Sequence, residues 1–186
     1  MSLVDTVLEV HDLLEAVGTP HAFGGALALA YLVEPRGTVD IDVNVFASLA
    51  ELDAVLETFS TIGLRPERGR EDWVPVAGIR LRREADPVPV DAFPSLDERY
   101  AEIERRCTIQ PFGPGPRPLP FLSAEDLVLF KLSFGRDKDW VDVRRIAVVA
   151  PLLDIDYIED QLVALRGATM YPRLARLRAF RREHNG

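Results

Sequence analysis

One cysteine, Cys107, stands in 186 residues, so the chain can form no disulfide of its own and no cysteine-built metal cluster. A buried, inert thiol is its expected role. Lysine is almost as scarce. Lys131 and Lys138 are the only two among 22 basic residues, the rest being arginine. Arginine is therefore a poor marker of function here, and the two lysines are better ones. No apolar run approaches the length of a bilayer span, and Met1-Ser2-Leu3-Val4-Asp5 brings an acid early with no basic segment before it. Neither a membrane span nor a signal peptide is expected, and the cytoplasm is the expected location. Excess positive charge is missing too: the formal net charge is −8, which removes any global attraction to nucleic acid. Cationic character gathers only at the C-terminus, where Arg166, Arg173, Arg176, Arg178, Arg181 and Arg182 face a single Glu183.

Apolar residues make up 47% of the chain, enough for a packed core. Helical spacing runs from Leu3 to Leu14 and stops at Gly18. Thr19–Phe23 reads as a short strand closed by Gly24-Gly25, and Ala26–Val33 as a buried helix. Val39–Phe46 alternates strictly, apolar at 39, 41, 43 and 45 and polar at 40, 42 and 44, which is a strand with one polar face. Leu49–Ile62 reads as an amphipathic helix, Trp73–Glu84 as one or two strands, and Val88–Phe93 as another. Ser95–Arg106 reads as a helix with Ser95 and Glu98 spaced as a capping box. Five prolines and two glycines in residues 111–120 predict a rigid loop. Four helices follow, from Ser123 to Gly135, from Asp137 or Lys138 to Pro151, over Asp156–Leu165, and over Met170–Arg182. The expected organisation is a mixed-sheet α/β (α+β) core in residues 1–110, a proline-rich linker in 111–121, and a helical region in 122–186 that completes the active site.

The chemistry-bearing pattern starts at Gly24-Gly25 and continues, fourteen residues later, with Asp40-Ile41-Asp42 and then Asp91 on a later strand. Alternation puts Asp40 and Asp42 on one strand face, where like charges repel unless a cation or proton offsets them. Asp91 interrupts the apolar run Val90-Asp91-Ala92. If its strand neighbours the first, Asp40, Asp42 and Asp91 converge as metal ligands for magnesium, in the manner of two-metal phosphoryl or nucleotidyl transfer. Glycines between a strand and a helix let the backbone and the helix N-terminus approach a phosphate. Arg36 and Thr38, just ahead of the acids, are candidates to touch a triphosphate. A second cluster, Lys131, Arg136, Asp137, Lys138, Asp139 and Asp142, puts Asp139 and Asp142 on one helix face. There Lys131 or Lys138 can neutralise phosphate charge while an acid orients it. By itself that cluster is equally an ordinary charged helix start, just as the arginines of the last helix, with Leu174, Leu177 and Phe180 at helical spacing, are equally a solvated face.

The segments His21-Ala22-Phe23-Gly24-Gly25-Ala26-Leu27-Ala28-Leu29, Arg36–Val43 and Ser123–Val143 together resemble the nucleotidyltransferase superfamily, and within it the AbiEii-type branch that includes the MenT-like toxins of mycobacteria. The resemblance is strong over residues 20–46 and 122–146 and loose over 47–121. It implies a polymerase-β-like core, magnesium (two ions) and a nucleoside triphosphate substrate. In the toxin branch it implies nucleotide transfer to the 3′ end of tRNA and a cognate antitoxin. By matching positions, Gly24 and Gly25 become the triphosphate loop, Asp40 and Asp42 metal ligands, Lys131 a phosphate-binding lysine, and Asp139 or Asp142 an essential acid; Arg136 and Lys138 of the same cluster are candidate nucleotide contacts. Asp91 is the candidate base, and Arg173, Arg176 and Arg181 are candidate RNA contacts. The sequence departs from the branch in having Gly25 where many members have serine, a long gap to Asp40, and a short chain. Transfer to a small aminoglycoside-like molecule or to a protein, and a nucleotide sensor without turnover, are the alternative readings.

Overall fold

The computed structural model describes residues 2–69, 72, 78–84 and 86–184. Part of the expected strand region Trp73–Glu84 lies on residues 73–77, outside those described. Helix Leu3–Ala16 (α1) opens with a capping box, the Asp5 N–H donating to Ser2 Oγ at 3.1 Å and the Ser2 N–H to Asp5 Oδ2 at 3.0 Å. Strand His21–Phe23 (β1) and helix Gly25–Leu29 (α2) follow, then strand Ile41–Ser48 (β2) and helix Leu52–Thr61 (α3). Strands Arg65–Pro66 (β3), Ile79–Arg83 (β4) and Asp86–Ser95 (β5) come next, then helix Tyr100–Arg105 (α4). Strands Thr108–Phe112 (β6) and Arg117–Phe121 (β7) complete the sheet, and helices Ala124–Phe134 (α5), Asp137–Val149 (α6), Ile155–Arg166 (α7) and Tyr171–His184 (α8) end the chain.

Among the described residues the strands form one mixed sheet in the order β3-β4-β5-β2-β1-β7-β6. Two central pairs, β2 with β5 and β1 with β7, are parallel, and the others are antiparallel. Ile41, Val43 and Val45 of β2 are buried on the face that carries α1 and α3, so the predicted alternation holds from Ile41 onward, but the strand starts two residues later than expected and Val39 is 79% exposed ahead of it. Asp42 and Asn44 point to the opposite face, against the Gly24-Gly25 turn. Helix α5 is buried around most of its circumference, as a central helix must be, with Asp126 and Lys131 as its buried charges. It packs on α2, α6 and α7, with Leu127, Val128, Leu129 and Leu132 all buried. Its ends were legible: Ser123 Oγ accepts from the Asp126 N–H, and Gly135 closes the helix at φ 66°.

Three expectations are corrected. The proline-rich stretch is a hairpin, β6–β7, rather than a loop. Its prolines occupy the pairs Ile109↔Pro120 and Pro111↔Pro118. Pro111 and Pro118 face each other, so this pair and Ile109↔Pro120, two residues along, are the ones that exchange no amide hydrogen bonds between β6 and β7, and the β6–β7 ladder survives its prolines. Ser95 does not cap a helix. It ends β5, opposite Ser48, and α4 begins only at Tyr100 with Arg99 at its cap. The helix expected through Val33 stops at Leu29 and gives way to turns. Cys107 is half-buried and its thiol is pushed up to about 12, first by burial and then by Asp126 and Glu104, which keeps it protonated and unreactive.

Candidate active site

The site grows from three strands. In the parallel register Asp42 lies opposite Asp91, and in the antiparallel register Asp91 lies opposite Arg80. One row across β2, β5 and β4 therefore reads Asp42, Asp91, Arg80, all on the face opposite α1. Arg80 donates to Asp91 through Nε and Nη2, both at 2.8 Å, and Nη2 also reaches Asp40 Oδ2 at 3.4 Å. Arg80 was missed in the sequence. Its signal was an arginine on the polar face of Ile79-Arg80-Leu81, but its partner is fixed only once β4 pairs with β5. Asp40 sits one residue ahead of β2, where Thr38 Oγ1 donates to its Oδ1 at 2.7 Å and its main-chain oxygen at 3.1 Å. Thr38 thus fixes the Asp40 rotamer.

Asp42 is the deepest of the three acids. Burial pushes its carboxyl up to about 6, the negative charges of Asp40 and Asp91 push the same way, and Lys131 and Lys138 pull it back. Beside it the Gly24 N–H donates to the Asp42 carbonyl at 2.9 Å. Gly25 has φ +54°, and a Cβ there would stand 1.7 Å from Asp42 Oδ2. Only glycine fits that spot, which gives a physical reason for the departure from serine. Because α2 has five residues, its dipole is short, and with the Gly24 N–H engaged by Asp42 this corner offers an anion the Gly25 N–H.

The facing wall comes from α5 and the start of α6. Lys131, 5% exposed, donates to Asp142 Oδ2 at 2.7 Å, and Arg36 donates to both Asp142 oxygens at 3.2 and 3.0 Å. Burial raises the Asp142 carboxyl, but the hydrogen bonds from Arg36 and Lys131 outweigh it and hold the group below its usual range. Asp139 is likewise engaged, by Arg136 Nε at 2.7 Å, Nη2 at 3.2 Å and the Arg136 N–H at 3.1 Å. Lys138 is exposed at the rim.

A cleft of about 300 Å³ lies between the two walls. Gly25, Arg36, Thr38, Asp40, Asp42, Asp91, Lys131, Arg136, Lys138 and Asp139 all line it, together with Arg80. Gly24 and Asp142 stand behind its lining. An inner recess of about 40 Å³ continues between Asn44, Phe93 and Phe134, where the buried Asn44 Nδ2 has no partner. Three carboxylates offering hard oxygen donors, one of them destabilised by the charge of the other two, are a donor set that fits magnesium. Asp40 and Asp91 share Arg80, which supplies balancing positive charge to those two.

Arg173, Arg176 and Arg181 are not in the cleft. Arg173 donates to the carbonyls of Leu132 and Ser133 (the latter at 2.8 Å), at the end of α5. Arg181 donates to Ala147, Ala150 and Pro151 at the end of α6, and Arg176 stacks over Trp140 at 4.1 Å.

No protein-family model matches the sequence, and no curated protein does. Solved structures do match. The antibiotic-resistance factor ANT(2″)-Ia aligns over 97% of this chain and 97% of its own, with 15% identity and a TM-score of 0.60. The chain has a nucleotidyltransferase fold. The same fold relates it to the lincosamide antibiotic adenylyltransferase LnuA, at 16% identity and TM-score 0.55 over 78% of this chain and 97% of that one. It also relates it to MenT4, a nucleotidyltransferase toxin from Mycobacterium tuberculosis H37Rv, at 18% identity and TM-score 0.50 over 87% of this chain and 62% of that one. In this nucleotidyltransferase fold the polar face of β2 and β5 opens onto the cleft just described. No helix among the described residues is long and apolar enough to cross a membrane.

Proposed function

We propose that the chain is a magnesium-dependent nucleotidyltransferase that moves a nucleoside monophosphate from a nucleoside triphosphate to an acceptor hydroxyl, releasing pyrophosphate. The observation that carries this is one cleft with Asp40, Asp42 and Asp91 on its floor and Lys131, Arg136 and Lys138 opposite. Asp40, Asp42 and Asp91 would hold the metal, which when bound neutralises the triphosphate and lowers the proton affinity of the attacking hydroxyl. The cations of α5 and α6 receive the charge that develops on the departing pyrophosphate, and the Gly25 N–H would bind a phosphate oxygen, with Gly24 anchoring the turn through its N–H to the Asp42 carbonyl. The acceptor oxygen forms its bond to the α-phosphorus as the bond to the pyrophosphate oxygen breaks. Asp91 takes the acceptor's proton once Arg80 withdraws from one of its oxygens. Asp142 acts as a positioning group, since its carboxylate holds Lys131 and Arg36 in place.

The acceptor we favour is a small cationic molecule bearing hydroxyls, of the aminoglycoside class. A net charge of −8 attracts cations rather than RNA, and the three arginines offered as RNA contacts are engaged within the chain. A structural neighbour, ANT(2″)-Ia (17% identity, TM-score 0.56, all of both chains), was solved with adenylyl-2″-tobramycin. The second reading is a tRNA 3′ end, with the chain as the toxin of a toxin–antitoxin pair. It is favoured by the exposed cations Arg136 and Lys138 at the cleft mouth. Incubation with labelled nucleoside triphosphates, magnesium, an aminoglycoside panel and total tRNA separates the two by which acceptor takes the label. Full transfer by Asp40→Ala would refute the enzymatic reading itself.

A further inference from the structure

On the other face of the sheet, away from the cleft, α1 and β1 bring together a second set of ligand-bearing side chains. His11 and Glu15 are one turn apart on α1, and His21 opens β1. One atom from each lies within 4.8 Å of the others, and among the described residues this is the group of three His, Cys, Asp or Glu side chains so placed. His11 and His21 are 8% and 4% exposed, while Glu15 reaches solvent. His21 pairs with Val45 in register, on the face opposite Asp42, so the sheet itself separates this cluster from the acidic cleft.

We propose that His11, Glu15 and His21 form a binding site for a zinc-class divalent cation, with water as the remaining ligand. The hydrogen bonds prepare it. His21 Nδ1 lies 3.1 Å from the Thr19 carbonyl, which fixes the proton on Nδ1 and leaves the Nε2 lone pair facing His11. A backbone carbonyl behind a ring nitrogen is the usual support of a metal-bound imidazole. His11 Nδ1 is 2.9 Å from His21 Nε2, so in the metal-free protein it donates its proton there. On binding, His11 carries its proton on Nε2 instead and turns the Nδ1 lone pair to the cation. Both rings stay neutral and Glu15 supplies one negative charge. Burial already lowers the proton affinity of both imidazoles, which keeps them in the ligating form. Two imidazoles and one carboxylate suit zinc, cobalt(II) or nickel, whereas magnesium prefers oxygen donors. The bound ion would tie the last turns of α1 to β1.

The test uses the full chain after chelator treatment, titrated with zinc and with cobalt(II) in millimolar magnesium, in wild type and in Asp42→Asn so that the cleft cannot account for binding. One-to-one binding in both, a tetrahedral cobalt spectrum, and shifts of the His11 and His21 ring signals are expected. Glu15→Gln, at an exposed position that leaves the fold intact, should weaken zinc by about tenfold or more. Absence of binding in magnesium, binding lost with Asp42→Asn, or binding that leaves both ring signals and the Glu15→Gln affinity unchanged would each overturn the proposal.

Discussion

Asp42 sits where two other acids and the surrounding apolar side chains oppose its ionisation, so the metal-free chain holds this charge at a cost to its stability. Replacing it with asparagine removes the charge and keeps the shape. The carboxyl rises from 3.8 to about 6, which at about 1.4 kcal/mol per tenfold change in proton affinity corresponds to about 3 kcal/mol. The folded pKa lies above the unfolded one, so the penalty is absent below the unfolded value, grows between the two, and is complete above the folded value. Asp42→Asn should therefore be more stable than wild type by up to about 3 kcal/mol at about pH 7.5 in chelator, a rise in melting temperature of about 6–12 °C for a chain of this length. The gain should vanish by about pH 4. Magnesium should narrow the gap by stabilising wild type alone, while transfer activity is lost in the variant. Urea denaturation at both pH values, with and without magnesium, measures all of this. A variant no more stable than wild type at the higher pH, or equally stabilised at both, would refute the account of Asp42 as a strained carboxylate.

Arg80→Met should leave Asp40 and Asp91 without their cation and tighten manganese binding by about fivefold, read by electron paramagnetic resonance, since partly exposed ion pairs of this kind contribute on the order of 1 kcal/mol. Gly25→Ala should force Asp42 aside and reduce transfer by about a hundredfold at near-normal far-ultraviolet dichroism, because a displacement of about 1 Å at a reacting centre costs that much. Asp142→Ala leaves Lys131 buried without its partner and should destabilise the chain by about 3–5 kcal/mol in denaturant melts. A loss of activity with unchanged stability would instead make Asp142 a chemical participant.

The readable features were those whose signal is local. Asp42 was legible because a period of two needs only adjacent residues, and Ser123 and Gly135 because caps are written at the helix ends, whereas Asp40 lies one residue ahead of β2 and reaches the cleft from a bend. Asp91 beside Asp42 was a conditional statement, settled when β2 and β5 paired in parallel. What stayed hidden depends on partners distant in sequence. Arg36 and Asp142 are 106 residues apart, and nothing in either neighbourhood names the other. Thr38 looked like a candidate phosphate contact, and its bond to Asp40, two residues on, was not foreseen although it too is local. The prolines of 111–120 misled because their harm to a strand depends on which pairs they occupy, and that register is set by the partner strand.

The arginines of α8 have a consequence for the wall they fasten. Arg173 holds the last carbonyls of α5 and Arg181 those of α6, the two helices that carry Lys131 and Asp142. The acceptors are main-chain oxygens, so no side-chain change on α5 or α6 removes them, whereas a single change on α8 does. A helix that contributes no residue to the lining of the cleft thus governs how firmly one of its walls stands.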